Sequence, residues 1–152
     1  MNKIAALLFV FLVLASTIWA QNKRTEKAAS EIRQVLDQQV AAWNRGDIDG
    51  FMDGYARSND TTFVSGDAVT RGWQTVLERY KRRYDSREKM GTLAFTELET
   101  KFLAADAALV TGRWQLSRAS EQEAFARGRF TLIFRRTKVG WRIVHDHTST
   151  AN

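Results

Sequence analysis

The sequence has no cysteine, no proline and only two histidines among its 152 residues. The missing cysteine excludes disulfides, thiol catalysis, thiolate metal sites and cysteine lipidation, so the fold must rest on its apolar core alone. With no proline, punctuation falls to nine glycines. His145 and His147 fall short of the three protein ligands that most metal sites use, and no further histidine or cysteine completes a set. No metal and no cofactor is therefore expected. Repeats, linkers and low-complexity runs are likewise missing from residues 26 to 150, which read as one domain with a real core.

What is present begins with a leader. Lys3 precedes an apolar run from Ile4 to Ala15, and small or weakly polar residues follow up to Ala20. This is the layout of a secretory signal peptide spanning residues 1–20, with cleavage expected after Ile18-Trp19-Ala20. The run is short for a span of about 20 residues, so no stable membrane insertion is expected after cleavage. The mature chain is expected to be secreted or periplasmic.

The formal charge is +6, and loss of the leader removes Lys3 and no acid, leaving +5. Basic residues gather at Lys81-Arg82-Arg83 and Arg135-Arg136-Thr137-Lys138, but they alternate with acids elsewhere. No nucleic-acid motif accompanies them, so a solvated basic surface is expected and nucleic acid is not.

Periodicity then sets the architecture. Ile32, Val35, Leu36, Val40 and Trp43 form one helical stripe that Gly46 ends, and Asp47 caps a short helix carrying Ile48, Phe51, Met52 and Tyr55. Thr61–Val64 and Val69–Arg71, around a Ser65-Gly66-Asp67 turn, read as a short hairpin. Trp73, Val76, Leu77, Tyr80 and Tyr84 make a third helical stripe, whose other face carries Glu78, Arg79, Lys81, Arg82 and Arg83. From about Met90 the period becomes two, predicting four strands at roughly 91–103, 107–118, 123–137 and 141–149. The class is α+β: three N-terminal helices packed in a strongly curved antiparallel sheet, with a cavity between them.

Trp43-Asn44-Arg45-Gly46-Asp47, Phe51-Met52-Asp53-Gly54-Tyr55, Thr61-Thr62-Phe63, Arg71-Gly72-Trp73 and the closing Gly140–His145 resemble the SnoaL-like, nuclear-transport-factor-2-like superfamily over about residues 26 to 150. The likeness is nearest to its small secreted bacterial members. It implies a cone-shaped α+β roll, which hosts isomerases, dehydratases, hydrolases and non-catalytic binding domains alike. Trp141–Ser149 is also similar to the last strand of the calcium/calmodulin-dependent kinase association domain, with Thr148 where that pattern has arginine. That domain is an oligomerisation hub.

The ketosteroid isomerase branch fails at its chemistry. A gapless placement sets its tyrosine, base and second acid on Gln39, Ser65 and Ile133, none of which supplies the needed group. The epoxide hydrolase branch sets an arginine between two aspartates, and here the second aspartate is not evident.

On the last strand, alternation groups Trp141, Ile143, His145 and His147 on one face and Arg142, Val144, Asp146 and Thr148 on the other. The resemblance implies that the Asp146 face lines the cavity and the histidines lie outside, where such domains pair. The same placement assigns Arg129, Thr131 and Ile133 to the cavity side, which makes Arg129 the expected partner of Asp146. Trp43, Tyr55, Phe63, Trp73 and Trp114 are the expected aromatic lining, with Thr131 and Thr148 as polar contacts and Gly112 leaving room beside Trp114.

Three functions follow as expectations. The first is a secreted domain binding a small apolar or aromatic ligand. The second is a lyase, isomerase or hydrolase using Asp146 and Arg129 as an acid–base pair. The third, compatible with both, is a homodimeric assembly domain joined through the histidine-bearing face.

Overall fold

The computed structural model describes residues 3–118 and 125–151, with side chains from Trp19 onward except that of Phe125. Residues 119–124 lie outside the described set, and the looser connection expected at 118–122 falls largely there. The described elements run α1 Lys3–Asn44, α2 Ile48–Met52, β1 Thr62–Ser65, β2 Ala68–Arg71, α3 Trp73–Arg83, α4 Arg87–Met90, β3 Thr92–Ala104, β4 Ala107–Ser117, β5 Phe125–Thr137 and β6 Gly140–Thr150.

The first helix is longer than its apolar stripe. The expected leader and the domain's opening residues form one helix of 42 residues, and the buried stripe of α1 among the described side chains runs from Ala28 to Trp43. Among the described residues no helix is long and apolar enough to cross a membrane. Ile32, Leu36 and Trp43 are buried as the stripe requires. Asn44 ends α1 in a two-way clamp: its amide donates to Leu93 O at 3.0 Å and accepts from Leu93 N at 2.7 Å. The clamp ties the end of α1 to the first turn of β3. The short α4, absent from the periodicity, completes the tie, since Trp43 Nε1 donates to Met90 O at 3.0 Å and Arg87 to Trp43 O at 2.9 Å.

Helix α2 is shorter than expected and ends at Met52. Asp47 caps it as the sequence suggests, accepting from Gly50 N at 2.7 Å. Tyr55 leaves the helix for the sheet, because Ile143 N donates to Gly54 O at 2.9 Å and Ala56 N to Ile143 O at 2.8 Å. Two sheet-type bonds replace the helical ones and aim the tyrosine side chain along β6.

The six strands form one curved sheet in the order β2-β1-β6-β5-β4-β3. Every neighbouring pair is antiparallel except β1 with β6, which run parallel. Alternation on β5 is clean: Phe130, Leu132 and Phe134 are buried while Arg129 and Arg135 are exposed. The core lies between that concave face and the helices.

The last strand departs from strict alternation. Ile133 pairs with His145 but Phe134 pairs with Ile143, so Val144 is an extra residue in a bulge. Before the bulge Trp141 and Ile143 are buried, and after it Asp146 is buried. The expected grouping of Trp141 and Ile143 with the histidines is therefore corrected: both point inward, on the same side as Asp146, and only His145 and His147 remain outside.

Candidate functional site

Helices α1, α2 and α3 and the concave sheet leave a cavity of about 160 Å³ between them. Its walls are mostly aromatic and aliphatic. Trp43 packs edge-on to Phe51 and Tyr84 at 5.1 and 4.7 Å, Tyr80 touches Phe51 and Phe63 at 5.2 and 5.6 Å, and Phe95 meets Phe130 at 5.2 Å. Leu93, Leu116, Leu132 and Ile143 fill the gaps between rings.

The polar end is Asp146, which is only 4% exposed. The bulge at Val144 turns its carboxyl inward, and the bridge between Gly54–Ala56 and Ile143 brings Tyr55 over it. Tyr55 Oη donates to Oδ2 at 2.6 Å and Thr148 Oγ1 to Oδ1 at 2.8 Å. Among the described residues no lysine or arginine lies within salt-bridge reach of it. Burial without a cation disfavours the charged form. It holds the Asp146 carboxyl up at about 6, against the pull of the Tyr55 and Thr148 hydrogen bonds and the nearby His147. Burial and then the Asp146 charge push the Tyr55 phenol well above its ordinary range, and the same two causes act on Tyr80.

Of the residues expected to line the cavity, Trp43, Tyr55, Phe63, Trp114, Thr148 and Asp146 do so. Trp73 does not: its indole donates to Met52 O at 3.0 Å and lies under Arg57, 4.3 Å from the ring centre. Trp114 is held by a hydrogen bond to Ser149 O at 3.0 Å. The room beside its ring comes from Gly128, not Gly112. A Cβ at Gly128 would come 2.8 Å from Trp114 Nε1, whereas one at Gly112 would strike Phe130 and Leu98.

The expected Arg129–Asp146 pair is not formed. Arg129 is exposed on the outer face, where it and Arg113 share Glu97 Oε2 at 3.0 Å each. Thr131 also lies outside, opposite His147. The physical reason is the alternation of β5: Phe130, Leu132 and Phe134 are its apolar set and take the concave side. Ile133 goes out with Arg129, and the inward residue facing Asp146 is Leu132, which carries no acid either. Gln39, where an isomerase tyrosine would fall, is buried and donates to Phe51 O at 2.9 Å. Ser65 borders the cavity. His145 Nδ1 lies 2.6 Å from Thr62 Oγ1 on the outer side, and His147 is exposed.

Four lining residues come from α3 and its C-cap: Arg79, Tyr80 and Arg83 from the helix and Tyr84 from the cap. The tyrosines were legible as part of the helical stripe. The arginines looked like the helix's solvent face, but Arg79 and Arg83 flank the stripe on the side that meets the cavity. Among the described residues no three His, Cys, Asp or Glu side chains converge as a metal set would.

Residues 32–152 match the model of the SnoaL-like domain. Among solved structures, the chain is similar to a nuclear-transport-factor-2-like protein of unknown function from Shewanella oneidensis, at 38% identity over 80% of this chain and 98% of that one, with a TM-score of 0.74. It shares its fold with such a protein from Novosphingobium aromaticivorans, described as cystatin-like, at 18% identity, 90% coverage of both chains and a TM-score of 0.73. It also shares it with a ketosteroid isomerase-like protein from Erwinia carotovora, at 19% identity over 81% of this chain and 95% of that one, with a TM-score of 0.64. No curated protein matches the chain.

Proposed function

The chain belongs to the SnoaL-like domain family, and on that premise we propose that it binds a small, largely apolar or aromatic molecule in the cavity above Asp146. The carrying observation is the carboxyl itself. Asp146 is buried among rings, held by two hydroxyls and matched by no cation among the described residues. Such a group lowers stability once ionised, so its value lies in what it offers a ligand: a hydrogen bond deep in a chamber lined mainly by aromatic and aliphatic side chains. The cavity is about as large as an engineered apolar cavity that takes benzene.

Calorimetric titration with monocyclic aromatics is the test. Binding to the intact chain, abolished by Leu116→Trp because the indole fills the space, supports the reading. Equal binding by that variant contradicts it.

A second reading has one specific support. A carboxyl held at about 6 and facing a cavity is poised to take and return a proton near neutral pH. Asp146 would then act as the general base of a lyase, isomerase or hydrolase, with Tyr55 setting its orientation. Loss of turnover in Asp146→Asn, with ligand affinity retained, would distinguish it from binding alone.

Export and pairing belong to the same proposal. The leader supports export, and recovery of a protein beginning at Gln21 from the periplasm or medium would test it. The outer face supports pairing as a proposal, because the half-exposed Leu109 lies opposite Ile133 and Thr111 opposite Thr131, beside the exposed His147. A homodimer through this face is expected in sedimentation, and a monomer at tens of micromolar would refute it.

A further inference from the structure

We infer that the ligand is a small organic carboxylate, its apolar body inside the cavity and its anionic end held at the rim by Arg79 and Arg83. The inference rests on the small-molecule reading above and adds the chemistry of the ligand's charged end.

Helix α3 carries four cations close together, and they divide into two pairs. Lys81 bonds Asp49 at 2.8 Å and Arg82 reaches Glu78 at 3.9 Å, both on the helix's solvent side. Arg79 and Arg83, one turn apart, border the cavity instead. Among the described residues neither has a carboxylate within salt-bridge reach. Each lies by a ring of the cavity wall: the Arg79 guanidinium is 5.3 Å from the Phe63 centroid and that of Arg83 is 5.8 Å from Tyr84. A guanidinium resting on a ring face keeps its N–H edge free for a planar, two-oxygen acceptor.

A charge in the last turn of α3 also complements the helix dipole, but Lys81 and Arg82 already provide that. The dipole gives no reason for two further arginines to turn toward an aromatic chamber.

The opposite end fixes the orientation. Asp146 is the one acid among the lining residues described, and it lies at the buried end. An anionic group placed there would meet a like charge, whereas at the rim it meets two cations. Charge therefore runs from an acidic floor to a basic mouth, and a ligand with one apolar and one anionic end fits a single way round.

The test compares benzoate with its neutral isostere benzamide, titrated into the full chain at pH 8 and followed by calorimetry. A hydrogen bond from a guanidinium to a carboxylate is stronger than one to a neutral amide, so benzoate is expected to bind about tenfold more tightly or better. In the double variant Arg79→Gln, Arg83→Gln the ratio should fall to about twofold or less. In the matched double variant Lys81→Gln, Arg82→Gln, which removes the same charge from the solvent side, the ratio should persist. Equal affinity for the two compounds in the intact chain overturns this inference and leaves the small-molecule reading standing. A ratio that survives the Arg79 and Arg83 changes also overturns it. Failure of both compounds to bind overturns both readings.

Discussion

Replacing Asp146 with asparagine should stabilise the protein at neutral pH, contrary to what removing a buried hydrogen-bonded group ordinarily does. The carboxyl sits at about 6 in the folded protein, against about 3.9 in an unfolded chain. The folded state thus holds this proton more tightly than the unfolded state. Its contribution is fully present below about pH 4 and is lost as pH rises through about 6. At about 1.4 kcal/mol per pH unit, an offset of roughly two units makes the ionised group cost about 3 kcal/mol by pH 8. The asparagine side chain has the same shape and no charge, with about 1 kcal/mol lost to rearranged bonds with Tyr55 and Thr148. The variant should therefore gain about 2 kcal/mol over the natural protein at pH 8, and about nothing at pH 4.5. Urea denaturation followed by tryptophan fluorescence at both pH values measures this, and the difference between the proteins cancels the other titrating groups. A variant less stable at pH 8, by the same margin as at pH 4.5, would mean that the carboxylate is fully compensated and carries no such cost.

Four further changes bear on the same account. Tyr55→Phe removes a hydrogen bond that lowers the Asp146 value, so the pH midpoint of that residue should move up, read from the same denaturation series. Gly112→Ala should cost about 1–3 kcal/mol by driving a methyl into Phe130 and Leu98, measured as a shift in urea midpoint. Arg129→Ala should cost at most about 1 kcal/mol, since only the exposed pair with Glu97 is lost, and should leave calorimetric ligand affinity unchanged. Trp141 Nε1 is buried without a partner, so Trp141→Phe should cost far less than the roughly 3–5 kcal/mol of truncation to alanine.

The elements were legible because their periods are strong: the stripe ending at Trp43, the stripe ending at Tyr84 and the alternation beyond Met90 all became helices and strands. The face of Asp146 came from the resemblance, since alternation alone could not choose it. The partner was misassigned because a gapless placement outweighed a plainer signal. Phe130, Leu132 and Phe134 alternate with Arg129 and Arg135, and that hydrophobic set already names the inner face. Tyr55 was missed as the partner for a different reason. Its role depends on a parallel bridge between residues 54–56 and Ile143, a contact between distant parts of the chain that no local pattern encodes. The bulge at Val144 was equally hidden: no glycine or proline marks it, and only pairing with β5 reveals the extra residue. Arg79 and Arg83 read as solvated because they lie off the apolar stripe of α3, and the stripe alone does not say which of its flanks meets the cavity.

If the cavity is a binding site with Asp146 at its floor, a molecule that fills it must change the surroundings of that carboxyl. The Asp146 carboxyl carbon resonance, followed against pH in the free protein and in the presence of saturating phenol, tests it most directly. A midpoint near 6 is expected in the free protein, displaced by about half a pH unit or more when phenol fills the space above the carboxyl. A midpoint near the ordinary carboxylate value of about 4, or one that phenol binding leaves unmoved, would contradict it.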